Sequence, residues 1–168
     1  ISDIDLLYMT NLKFTSIVIT GTNGKSTTGK IITHLLKKNS FKVFFGGNIG
    51  KPILNFKLKK DTYVVVEASS YQLANSKFMS PKYAMLLNIT NDHLDWHGSM
   101  KNYINAKLKI FSLQKNNSFA MINKNLLNNF KNRKFKSKLV PLKSRSFELI
   151  KSKIKNNYLV SSANNENM

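Results

Sequence analysis

Cysteine is absent from this 168-residue chain, which removes disulfides, thiolate metal sites and thiol nucleophiles from consideration and suits a cytoplasmic protein. Arginine stands only at Arg133 and Arg145, so the excess of 27 basic over 8 acidic residues, a formal net charge of +19, is carried by lysine. Such a charge raises nucleic acid or an anionic membrane as a partner. The lysines, however, are spread among asparagines along the chain without forming one stripe, and arginine is the side chain that most often reads base edges. The charge is therefore read as a compositional bias towards Lys, Asn and Ile, and no nucleic-acid partner is expected. Long apolar runs are missing too: Tyr63–Val66 and Tyr83–Leu87 fall far short of the roughly 20 residues that cross a bilayer. No signal peptide is visible and no membrane partner is expected. Glycine is confined to positions up to Gly98, and the last 70 residues contain none, so chemistry that needs tight backbone turns is expected in the first part.

A chain of this length supports one compact domain. It begins at Ile1 and ends in a run of Ser, Asn and Glu before Met168, and is read as a fragment: residues 1–13 as a tail or linker, residues 14–168 as one domain truncated at its C-terminal end. Short β-branched or aromatic runs at Phe14–Thr20, Lys42–Phe45, Thr62–Glu67 and Tyr83–Ile89 alternate with helical patterns. This predicts an α/β fold with a mostly parallel sheet and flanking helices. The first helix, Ser26–Lys38, is predicted to bury Ile31, Ile32, Leu35 and Leu36. The second, Met100–Ser112, carries Met100, Tyr103, Ile104, Leu108 and Phe111 on one stripe. Beyond Ser118 the signals are short strands at 119–122, 139–142, 147–150 and 158–160, with a helix at 125–130, and a smaller antiparallel β portion is expected there.

Ile17-Val18-Ile19-Thr20-Gly21-Thr22-Asn23-Gly24-Lys25-Ser26-Thr27 is a strand, a glycine turn and a helix start in succession. In that context backbone N–H groups can converge on phosphate oxygens, Lys25 can reach the terminal phosphates, and Ser26 can ligate Mg²⁺. The full G-x-x-x-x-G-K-[ST] pattern is not met, because its first glycine would fall at Ile19; Gly21 opens a shorter loop. Glu67 ends a strand, and ligands of open α/β sheets bind beyond such carboxyl ends, so it is either a solvated strand exit or a carboxylate placed for Mg²⁺. Asp92-His93-Leu94-Asp95-Trp96-His97-Gly98 follows another strand in the same way. His34 is read as structural and His97 as a surface or turn residue. Lys107 falls on the apolar stripe of its helix, where either its stem packs while the ammonium reaches water, or desolvation leaves a neutral amine able to take up CO₂ as a carbamate.

Five blocks in order resemble the Mur ligase family: Thr20-Gly21-Thr22-Asn23-Gly24-Lys25-Ser26, Gly47-Asn48-Ile49-Gly50-Lys51-Pro52, Glu67-Ala68-Ser69-Ser70-Tyr71-Gln72-Leu73, Asn88-Ile89-Thr90-Asn91-Asp92-His93-Leu94-Asp95-Trp96-His97-Gly98, and Tyr103-Ile104-Asn105-Ala106-Lys107-Leu108-Lys109-Ile110-Phe111. The first block is shared with folylpolyglutamate synthases, whereas the second and third are similar to the D-glutamate-adding branch of the family. The resemblance implies the central ATP-binding domain of a monomeric ligase that joins D-glutamate to UDP-N-acetylmuramoyl-L-alanine through an acyl phosphate, with the uridine and D-glutamate sites outside this chain, which alone would be inactive. It implies that Gly21, Thr22, Asn23, Gly24, Lys25, Ser26 and Thr27 bind ATP, and that Ser26, Glu67, His93 and a carbamylated Lys107 bind Mg²⁺. Lys25, His93 and Lys107 would be catalytic, and Asn48, Ser69 and Ser70 would face the muramoyl substrate. Asn164 and Asn167 have the spacing of a pair that contacts adenine, although Ala163 stands where the family has histidine. A folylpolyglutamate synthase-like ligase and a basic nucleic-acid-binding module are the alternatives.

Overall fold

A computed structural model describes residues 1–142 apart from 11, 51, 57, 131 and 132. Six strands, β1 (Phe14–Thr20), β2 (Val43–Gly47), β3 (Thr62–Glu67), β4 (Tyr83–Leu86), β5 (Phe119–Asn123) and β6 (Lys138–Leu142), form one sheet in the order β2-β3-β1-β4-β5-β6. Every neighbouring pair is parallel. Five helices flank it: α1 (Asp3–Met9), α2 (Lys25–Lys38), α3 (Ser70–Asn75), α4 (Leu94–His97) and α5 (Met100–Ser112). No helix among the described residues is long and apolar enough to cross a membrane.

The central strands β1 and β3 are buried on both faces, as in parallel sheets whose crossover helices cover each side, whereas the edge strand β6 is largely exposed. Successive side chains of a strand point to opposite faces. Ile17, Ile19 and Val65 accordingly pack with Ile32 and Leu36 of α2, while Val18, Val64 and Val66 pack with Leu73, Leu108 and Phe111 on the other side. The chain leaves β1 towards β2 on one side and later crosses to β4 on the other. That reversal opens a crevice beyond the carboxyl ends of β1, β3 and β4.

The structure corrects several expectations. The predicted antiparallel portion is not found among the described residues: β5 and β6 extend the same sheet in parallel, since short alternating runs carry no information on strand direction. Segments 147–150 and 158–160 lie outside the described residues. The helix expected at 125–130 is a 3-10 helix, Lys124–Phe130. Leu35 is 52% exposed, so the buried edge of α2 runs through Ile32 and Leu36 without it. The strand predicted to reach Ile89 ends at Leu86, and the residues after it serve the loop described below.

Segment 1–13, expected as a tail or linker, contains α1 and packs into the core through Ile4 and Leu7. Ser2 caps it in a box with Asp5. The Asp5 carboxylate is buried with no ion-pair partner among the described residues, and accepts from the backbone N–H groups of Lys77, Phe78 and Met79, each at 2.9 Å, and of Ser2 at 3.2 Å. Burial pushes its pKa up, but the four donors outweigh it and leave the group below the usual 3.8. A depressed folded pKa means that the ionised form stabilises the fold above the unfolded pKa and that this contribution is lost as pH falls through the folded one. We expect Asp5→Ala to lower stability by about 3–5 kcal/mol at neutral pH, because three or more buried donors lose their acceptor. In denaturant titrations the gap between wild type and variant should shrink below pH 4; a variant as stable as wild type at pH 7 would refute this account.

Candidate active site

The turn between β1 and α2 is shaped by a neighbour that sequence reasoning passed over. Asn88, two residues beyond β4, accepts from the Asn23 N–H at 2.9 Å and donates to the Asn23 carbonyl at 3.1 Å, while its own carbonyl accepts from the Thr22 N–H at 3.1 Å. The Thr22 hydroxyl bridges to Thr90 and lies 3.0 Å from the Tyr103 hydroxyl. Both polar groups of the Asn23 peptide are therefore spent on the scaffold. Gly24 then turns the chain with φ of 80°, a left-handed conformation that costs glycine nothing. The amides free to meet an anion are those from Gly24 to Thr27, the first turn of α2, which an α-helix leaves without intrahelical acceptors. Of the residues expected at the nucleotide, Gly21, Thr22 and Asn23 form the frame, and Gly24, Lys25, Ser26 and Thr27 present the N–H groups.

Two lysines converge on this turn. Lys25 Nζ donates to the carbonyls of Gly21 at 3.0 Å and Thr22 at 2.8 Å. Lys107 Nζ reaches the same Gly21 carbonyl at 2.8 Å from α5 and lies 4.7 Å from the centre of the Tyr103 ring. Lys107 is 2% exposed, so its ammonium does not snorkel to water. Burial first, and then the charge of Lys25, push its pKa down to about 7 against a weaker opposing pull from Asp92. Burial lowers Lys25 as well, opposed by Glu67 and Asp92. Among the described residues neither ammonium is ion-paired to a carboxylate. Two lysine amines sharing one carbonyl, beside helix amides that lack intrahelical acceptors, make a site that suits an anion such as a polyphosphate.

Glu67 supplies the negative counterpart. It is 1% exposed at the end of β3; Oε2 accepts from Ser26 Oγ at 2.7 Å and Oε1 from Asn48 Nδ2 at 3.5 Å. The Asn48 N–H donates to the Glu67 carbonyl at 2.9 Å. Gly47 makes that approach feasible, since a Cβ there would sit 2.3 Å from the Glu67 carbonyl oxygen. Ser26, Glu67 and Asn48 are thus brought together, although they come from three strand exits. Ser26 Oγ and the Glu67 carboxylate fit Mg²⁺, a hard cation that takes one or two carboxylates and completes its shell with water and substrate phosphate. Among the described residues no three His, Cys, Asp or Glu side chains cluster to hold a metal by themselves.

The remaining site residues line the far side. His93 adopts φ of 52° at the start of α4, pairs with Asp92 at 3.3 Å, and its ring lies 4.8 Å from Tyr71 and 6.4 Å from Tyr103. Ser69 caps α3: its hydroxyl accepts from the Gln72 N–H at 3.2 Å and donates to Gln72 Oε1 at 3.1 Å. Ser70 is buried, its hydroxyl 3.0 Å from His97 Nε2. His97 corrects an expectation, for it is 7% exposed and not on the surface. Three rings, from Tyr71, Trp96 and Tyr103, enclose it. Burial, then the nearby His93 and Lys107, push its pKa down and favour the neutral imidazole. His34 is exposed on α2. Asn164 and Asn167 lie outside the described residues.

Fold and site together define an α/β domain with a phosphate-type loop at the carboxyl edge of a parallel sheet, two lysines on that loop and a buried carboxylate beside it. The chain belongs to the Mur ligase family, its residues 19–166 matching the Mur ligase middle domain. It is 50% identical over 123 residues to the UDP-N-acetylmuramoylalanine--D-glutamate ligase of Rickettsia felis, covering 73% of this chain and 27% of that protein. It is 42% identical over 147 residues to the ligase of the same name from Elusimicrobium minutum, covering 81% and 32% respectively. The chain therefore spans about a third or less of the length of these relatives. Among solved structures it resembles the MurF ligase of Thermotoga maritima in complex with ADP, with a TM-score of 0.64 and 26% identity over 82% of this chain and 34% of that one. FolC of E. coli in complex with ADP shares the fold, with a TM-score of 0.56 and 14% identity over 83% of this chain and 45% of that one.

Proposed function

We propose that this chain is the ATP-binding core of a ligase that adds D-glutamate to UDP-N-acetylmuramoyl-L-alanine during peptidoglycan biosynthesis. Carrying the reading is the convergence of Lys25 and Lys107 on the Gly21 carbonyl beside the Ser26–Glu67 pair, an arrangement that suits a triphosphate and a divalent cation. The similarity to D-glutamate ligases at 42–50% identity supports the substrate, whereas the folate enzyme shares the fold at 14% identity. Uridine and D-glutamate would be bound by parts of the protein outside these residues, the enzyme acting as a cytoplasmic monomer with neither nucleic acid nor membrane as partner.

In this reading the substrate carboxylate attacks the γ-phosphorus of ATP, the bond to the β–γ bridging oxygen breaks, and ADP leaves. The amine of D-glutamate then attacks the resulting acyl phosphate, releasing phosphate and a proton. Such transfers are accelerated chiefly by positioning and charge neutralisation. Lys25 and the amides from Gly24 to Thr27 hold the phosphates. Ser26 and Glu67 would hold one Mg²⁺, and His93 with carbamylated Lys107 a second; the ions supply charge neutralisation at the phosphoryl oxygens. Asn48, fixed by Glu67, would face the muramoyl end, as would the segment at Ser69 and Ser70.

The test is an assay of the full-length protein with ATP, Mg²⁺, D-glutamate and UDP-N-acetylmuramoyl-L-alanine. ADP release should require every component, and folate substrates should not replace the nucleotide sugar; turnover with folate instead would overturn the reading. Glu67→Gln keeps shape and removes charge, so the Mg²⁺ concentration for half-maximal rate should rise about tenfold or more and the rate fall about a hundredfold. An unchanged Mg²⁺ titration would remove Glu67 from the metal site.

A further inference from the structure

Glu67 leaves β3 and His93 follows β4, yet these strands are not neighbours: β1 lies between them. No ladder hydrogen bond joins the two exits directly: each is tied instead to β1, the Ala68 N–H to the Ile19 carbonyl at 2.9 Å and the Leu87 N–H to the Thr20 carbonyl at 3.0 Å. The segments beyond those bonds must still be brought together if both groups are to meet one phosphate chain. Among the described residues one hydrogen bond joins the exits, His97 Nε2 to Ser70 Oγ at 3.0 Å. Ser70 lies three residues beyond Glu67 and His97 four beyond His93. Both are buried, at 2% and 7% exposure. The imidazole is held from every side, stacked on Tyr71 at 5.7 Å and met edge-on by Trp96 at 4.5 Å and Tyr103 at 5.2 Å, while the His97 carbonyl accepts from Asn102 Nδ2 at 2.9 Å. Ser69 cannot share the task. Its one proton is committed to Gln72 Oε1, and the Gln72 amide is kept from flipping by its two bonds to Asp3 at 2.9 and 3.2 Å.

We propose that His97 is a positioning residue: with Ser70 it latches the β4 exit to the β3 exit and so sets the spacing of His93 and Glu67 across the phosphate loop. The proposal rests on the metal-site reading above. A group that orients ligands in this way changes metal affinity by about ten- to a hundredfold when lost.

His97→Phe keeps the ring packing and removes the bond; Ser70→Ala removes it from the other side with little loss of volume. In the full-length enzyme, calorimetric titration of Mg²⁺ in the presence of a non-hydrolysable ATP analogue should show about tenfold weaker Mg²⁺ binding for each variant. The unfolding midpoint and the affinity for the metal-free analogue should stay near wild type. The double variant should be no weaker than the weaker single one, because both remove one interaction. Wild-type Mg²⁺ affinity in a folded His97→Phe enzyme, or effects of the two substitutions that add, would overturn the latch. Should His97→Phe fail to fold, Ser70→Ala alone decides by the same titration. A wild-type enzyme that takes up no Mg²⁺ with the analogue would overturn the metal-site reading itself and the latch with it.

Discussion

Lys25→Ala in the full-length ligase is expected to lower ATP-dependent turnover by about a thousandfold or more while the domain stays folded. The Lys25 ammonium lies over the carbonyls of Gly21 and Thr22, at the mouth of the helix amides, and is paired with no carboxylate among the described residues. The turn to which it donates these two bonds is also clamped by Asn88 through three hydrogen bonds of its own, so the fold is expected to survive their loss. Charge placed where a phosphoryl group is transferred acts on the transition state in a partly water-excluded site, where it is worth far more than on the surface. The measurements are kcat with saturating ATP, ATP-analogue affinity and the circular dichroism spectrum. Turnover within tenfold of wild type, in a protein that keeps its spectrum, would take the loop out of the chemistry.

The phosphate loop was legible because strand, glycine turn and helix start are contiguous, so its chemistry follows from neighbouring residues. The parallel arrangement of β1 to β4 was legible for the same reason, each strand being a local apolar run, whereas the direction of β5 and β6 was not. What sequence reasoning missed depends on partners far away in the chain. The anchors of α1 are Gln72, Ser76 and the amides of Lys77 to Met79, some 70 positions on, and nothing local to Asp5 announces them. Its capping box of Ser2 and Asp5 was nevertheless written in the sequence and would have justified a helix there. His97 follows Trp96 in a polar turn and looks exposed until rings from two other elements close over it. Leu35 failed for the opposite reason: an apolar residue at helical spacing was assigned to the buried face, but α2 packs against the sheet along a narrower line.

Lys107 carries the second large expected effect. Its burial and the neighbouring charge of Lys25 disfavour the ammonium, and a pKa of about 7 makes the amine about half neutral at pH 7. An ordinary lysine at that pH is neutral to only roughly three parts in ten thousand. A neutral amine can add CO₂, forming an N–C bond and releasing one proton, and the resulting carbamate is an anion where an ammonium would repel a metal ion. Protonation blocks the addition, so at fixed dissolved CO₂ the rate of carbamate formation should fall as pH drops below 7 and level off above it. Full-length enzyme assayed in rigorously CO₂-free buffer should lose most of its activity and regain it when bicarbonate is restored. Lys107→Ala should fall by about a thousandfold, with partial rescue by formate or acetate, which can occupy the space the carbamate leaves. Lys107→Arg should be equally inactive and beyond rescue, since the guanidinium fills that space and stays charged. Normal turnover by Lys107→Arg, or wild-type activity indifferent to CO₂, would show that the buried amine works as it stands, donating to the Gly21 carbonyl and lying against Tyr103.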